Sequence, residues 1–102
     1  MKYQLVLQWM ASTIEDYDAM IQIENTLIDG LGEDHEVDGH DAGSGEVNIF
    51  IHTNDPKEAF KEIKSILGDR DIWREVRIAY REIVKEKYIV LWPENLRDFK
   101  VV

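Results

Sequence analysis

The apolar residues of this chain change their period along its length, and that change limits the elements it can form. Tyr3, Leu5, Leu7 and Trp9 alternate with Gln4, Val6 and Gln8. A period of two with one mixed face reads as a strand. From Ser12 the period becomes helical. Ile14, Tyr17, Ile21, Ile28 and Leu31 fall on one stripe, with Met20 and Leu27 beside it. Ser12-Thr13-Ile14-Glu15 reads as a capping box, in which the serine hydroxyl accepts from the Glu15 N–H and the carboxylate reaches back. Gly30 and Gly32 offer an ending, so the spacing predicts a helix over roughly residues 13–31.

Residues 35–53 read as a hairpin. Val37 to Ala42 is one arm, Gly43-Ser44-Gly45 the turn, and Glu46 to Thr53 the other arm, in which Val47, Ile49 and Ile51 alternate. Keeping Val37 on the face of those aliphatics sets the expected register: Val37 opposite Ile51, Gly39 opposite Ile49, His40 opposite Asn48 and Asp41 opposite Val47. Asp55-Pro56 then opens a second helix, the aspartate as N-cap and the proline in the first turn. Ala59, Phe60, Ile63, Ile66 and Leu67 form its stripe and Gly68 ends it. Trp73 is expected to plug the core nearby. Val76 to Val84 and Tyr88 to Trp92 read as two more strands, with Pro93 stopping the second. Phe99-Lys100-Val101-Val102 reads as either a short final strand or a loose end.

The order is strand, helix, strand, strand, helix, strand, strand. Its first six elements resemble the split β-α-β arrangement of ferredoxin-like domains. The resemblance implies an α+β fold in one domain over residues 1–102, strand order 4-1-3-2 and both helices on one face. The fifth strand is then a hairpin partner of the fourth.

Composition narrows the function classes. The apolar share of 44% supplies a core, so the low hydrophobicity that disorder requires is missing. With no cysteine, disulfides and thiolate sites are excluded. The N-terminus lacks the pattern of a signal peptide, and no run approaches the ~20 apolar residues of a membrane span. A cytoplasmic location is the expectation.

Net charge is −9, and its distribution is uneven. The 54 residues between Lys2 and Lys57 hold no lysine or arginine and carry twelve acids; from Lys57 onward eleven bases stand against nine acids. A surface of that sign repels phosphate backbones, which argues against nucleic acid. It attracts a basic protein and speeds encounter. Solubility alone is the competing explanation.

Two sets of candidate site residues follow. The partner-binding set comprises the helix-one and hairpin acids Glu15, Asp18, Asp38, Asp41 and Glu46. The alternative is a ligand face on the side of the sheet that two helices leave open, built from Gln8, Asp38, His40, Asn48 and Arg81. There Asp38 could orient His40 for acid–base work, since residues two apart on a strand share a face. No nucleophile is evident. Ser44 lies in a turn without the strand-turn-helix context of a nucleophile elbow. A metal site is not expected, because His40 and the adjacent Asp41 point to opposite faces of a regular strand. Gly43-Ser44-Gly45 joins two strands, flanked by acids, rather than opening a helix, so it reads as a hairpin turn and not a phosphate loop. No cofactor is expected.

The stretch Val37 to Pro56, together with Tyr3 to Trp9, resembles a family of small uncharacterised bacterial proteins, which implies a bacterial source and no particular activity. In size and charge the chain is also similar to acidic immunity proteins that neutralise bacterial toxins. The leading expectation is therefore a non-enzymatic module that binds a basic protein. A homodimer formed through an edge strand is a further expectation.

Overall fold

A computed structural model describes residues 1–101. The elements are β1 (Tyr3–Met10), α1 (Ile14–Gly30), β2 (His35–Gly43), β3 (Glu46–Thr53), α2 (Pro56–Leu67), β4 (Arg77–Glu82) and β5 (Ile89–Trp92), with a short 3-10 turn at Asp71–Arg74. The strands form one antiparallel sheet in the order β2-β3-β1-β4-β5. This is the expected order, with β5 added beside β4. No helix among the described residues is long and apolar enough to cross a membrane.

Alternation in the strands builds the core. Leu5, Leu7 and Trp9 stand opposite Ile51, Ile49 and Val47 across β1 and β3. With Ile78 of β4 they form one buried cluster with Met20, Ile23 and Leu27 of α1 and Ala59, Ile63 and Leu67 of α2. Each large aliphatic side chain buried there is worth roughly 1.5–3 kcal/mol. Asp55 caps α2 as expected, accepting from the Glu58 N–H at 3.1 Å. Gly68 closes that helix at φ 57°, a left-handed conformation that glycine adopts without strain. Trp73 packs against the core edge-on to Trp92, and its indole N–H donates to the Gly68 carbonyl.

The structure corrects four expectations. The α1 cap is one residue later: Thr13 Oγ1 accepts from the Asp16 N–H, and the Asp16 carboxylate accepts from the Ser12 N–H. The buried face of α1 is Met20, Ile23, Glu24 and Leu27, while Ile14 and Ile28 lie exposed at 78% and 55%. The hairpin register holds at Val37–Ile51 and then slips by one, through a bulge at Asp38-Gly39 where Gly39 has φ 145°. His40 therefore opposes Ile49 and Asp41 opposes Asn48. The turn itself is Ser44-Gly45, both at positive φ, which matches the twist of the strands it joins.

The fourth correction concerns the tail. Lys100 carries no strand, nor do Phe99 and Val101. Instead the segment lies on the sheet face opposite the helices: the Gln8 amide donates to the Lys100 carbonyl, and Phe99 meets the Tyr88 ring at 4.9 Å. Val102 lies outside the described residues. The centre of this face is consequently no open polar surface. Val6 and Ala79 are fully buried, and Gln8 and Asn48 nearly so.

Candidate functional site

One end of the molecule gathers three chain segments. β1 finishes at Met10, the chain crosses to the Thr13 cap, and the β2–β3 turn comes alongside, with the Ala11 N–H donating to the Gly45 carbonyl at 3.0 Å. Between them lies a groove of about 580 Å³. Ala11, Ile14, Ala42 and Val47 give it apolar walls, and Tyr17 and Glu46 line it as well. Met10, Ile14 and Tyr17 are exposed at 62%, 78% and 39%. An apolar concentration of this kind at a surface marks an interaction site more often than scattered single residues do.

A polar network adjoins the groove. Glu24 is buried on α1, and its carboxylate lies 3.0 Å from His40 Nδ1. The Tyr17 hydroxyl lies 3.1 Å from His40 Nε2, and the two rings meet edge-on. With the ring proton on Nδ1 and donated to Glu24, Nε2 accepts from the Tyr17 hydroxyl. A carboxylate orienting an imidazole that contacts a hydroxyl is the arrangement by which a base activates an oxygen nucleophile.

The partner-binding residues named from the sequence are only partly assembled. Glu15 lies exposed in the first turn of α1, with Asp18 one residue past that turn. Glu46 lines the groove and pairs with Arg77 at 3.2 Å. Asp41, exposed on β2, opposes Asn48 and so stands on the sheet face away from the helices, outside the groove. Asp38 is elsewhere, on the bulge, 3.7 Å from His52.

The alternative ligand set is dispersed. Gln8 and Asn48 spend their amides on each other, 3.0 Å apart. The Arg81 guanidinium serves Gln4 and the carbonyls of the β4–β5 turn. The bulge turns His40 to the helix side, so it shares no face with Asn48. A second recess of about 510 Å³ remains on that face under the tail, lined by Gln8, Glu46, Arg77, Asp98, Phe99 and Lys100.

Sequence reasoning did not single out Glu24, or Tyr17 as more than a core residue. The readable signal was Glu24 itself. A carboxylate four residues from Met20 and three before Leu27 sits within an apolar face and needs a partner.

A separate cluster fastens the fold. His35, buried on β2, bonds Thr53 through Nδ1 at 2.7 Å and Glu62 of α2 through Nε2 at 2.9 Å. The Gly32 N–H, and after it His35, hold the Glu62 carboxyl below the usual glutamate range. The Ser12 N–H and the Thr13 hydroxyl do the same for Asp16. Among the described residues no group of three or more histidines and carboxylates converges as a metal site. No family model, curated protein or solved structure matches the chain.

Proposed function

We propose that the protein is a non-enzymatic acidic binding module whose groove takes up a basic segment of a protein partner. The observation that carries this reading is an apolar groove walled by Ala11, Ile14 and Ala42, with the exposed Asp18 one helical turn from Ile14 on the same face of α1 and Glu15 next to Ile14. Apolar contact supplies the affinity of such a site, and the unbalanced acids speed the approach. Neutralising a basic partner, as an immunity protein neutralises a toxin, is a role this surface suits.

A labelled peptide with one central leucine among lysines tests the reading by fluorescence anisotropy. Binding should weaken steeply with salt, and both Ile14→Asp and the pair Glu15→Lys with Asp18→Lys should abolish it. Equal binding by all three proteins would sink the reading.

One observation favours a second reading, a small-molecule or catalytic site around His40: the Glu24–His40–Tyr17 chain. It predicts a ligand-induced thermal shift that Tyr17→Phe removes without loss of fold.

A further inference from the structure

We infer that the segment the groove takes up is supplied by a second copy of this chain, the apolar β4–β5 turn of one copy, with its flanking lysines, seating in the groove of the next. This rests on the groove reading above and names its partner.

The two surfaces stand at opposite ends of β1. At one end Tyr3 faces Glu82, and the Lys2 carbonyl accepts from the Ile83 N–H at 3.0 Å. At the other, Met10 faces Glu46 beside the groove, about 23 Å away at ~3.3 Å per strand residue.

The turn has the character of a ligand. Val84 is exposed at 90%, with Ile83 beside it at 39%. The turn is also braced from within. Arg81 Nη1 donates to the carbonyls of Ile83 at 2.7 Å and Lys85 at 3.0 Å, while its Nε bonds Gln4. The valine is thus presented by a preordered segment, which lowers the entropic cost of binding. Lys85 follows it and Lys87 lies two residues further, with Lys2 across the strand end. Glu82 and Glu86 share the turn, and Glu82 pairs with Lys85 at 3.1 Å, yet 69% of the Lys85 side chain stays in solvent. An apolar knuckle with lysines beside it is the complement of an apolar groove whose α1 wall carries the exposed Asp18 one turn from Ile14, with Glu15 beside it.

Because knuckle and groove lie at opposite ends, the contact is heterologous. Two joined copies leave one knuckle and one groove free, so further copies add until a ring closes or a filament grows.

Sedimentation velocity on the full chain tests this at low and at high salt. The wild type should sediment faster with rising concentration and lose that dependence in high salt. A knuckle variant, Val84→Asp with Lys85→Glu, and a groove variant, Glu15→Lys with Asp18→Lys, should each remain monomeric. Mixed in equal amounts they retain one intact interface per pair, so they should form a dimer that grows no further. All four positions are exposed, and circular dichroism checks the fold of each variant. A wild type that stays monomeric, assembly that survives either variant, or a mixture that fails to pair overturns the inference. A monomeric wild type whose lysine-rich peptide binding is still lost in the groove variant overturns self-association alone and leaves the groove reading standing.

Discussion

His40 and Glu24 are joined as one unit across two elements, the imidazole Nδ1 lying 3.0 Å from both oxygens of the carboxylate. Glu24 sits on the buried face of α1 with Met20, Ile23 and Leu27. A carboxylate in that position is tolerable only with a partner. His40→Ala should therefore destabilise the fold by about 2 kcal/mol, chiefly through the orphaned carboxylate. Glu24→Met in the His40→Ala background should recover much of that loss, since it removes the uncompensated group. Urea unfolding of the two single variants and the double variant checks the coupling. Additive losses would show that the two groups act separately.

Acid should loosen the fold through two carboxyls. Glu62 is held below its ordinary value of 4.5, first by the Gly32 N–H and then by His35. Asp16 is held below 3.8, first by the Ser12 N–H and then by the Thr13 hydroxyl. A depressed folded-state pKa means that the unfolded chain binds the proton first. The stabilisation is thus complete above the unfolded values and drains away as pH falls from about 4.5 through the lower folded values. Glu62→Gln should lower the midpoint of thermal unfolding at neutral pH and flatten its decline below pH ~4.5. An unchanged acid slope would show that Glu62 does not carry the effect.

Much of this fold is readable from hydrophobic period alone, and the exceptions have physical causes. β1, β3 and α2 are legible because each carries a single clear period and, for α2, the Asp55-Pro56 start. β2 is not, because the decisive event is one bulged residue: a slip of one reverses the faces of every residue beyond it, which exchanged His40 and Asp41. The face of α1 is blurred because Ile14, Ile21, Ile23 and Ile28 surround the helix with apolar side chains. Burial of Glu24 rests on a histidine sixteen positions away, which no local pattern encodes. The same holds for the tail, whose docking depends on the Gln8 amide in the central strand.

Gly39 should be the most position-sensitive glycine of the hairpin. Its φ of 145° belongs to conformations that L side chains rarely adopt, although an added Cβ would meet nothing within 4 Å. The cost of Gly39→Val is therefore one of backbone strain and not of collision, on the order of 1–3 kcal/mol. The chain can relieve that strain by removing the bulge, which would turn His40 away from Tyr17. Loss of the His40–Tyr17 contact in NMR spectra, together with lower stability, is the expected outcome. A Gly30→Ala change makes the contrast: its Cβ would stand 3.0 Å from Ile66 Cδ1, so it should disturb the α1–α2 contact and leave His40 in place.

The tail should come off the sheet when Gln8 is changed. The Gln8 amide donates at 3.0 Å to Asn48 and at 2.9 Å to the Lys100 carbonyl, and both amide side chains are almost fully buried. Gln8→Met keeps the volume and removes both donors. Asn48 then lacks its partner in a buried place, which costs about 1–3 kcal/mol. Without that bond the segment keeps the Phe99–Tyr88 contact, whose worth is only about 1 kcal/mol. Protease cleavage between Arg97 and Lys100 should therefore accelerate in Gln8→Met more than its global destabilisation explains, and Phe99→Ala should accelerate it with little change in global stability. Equal cleavage rates in all three proteins, compared at matched stability, would mean that the tail is held by other contacts.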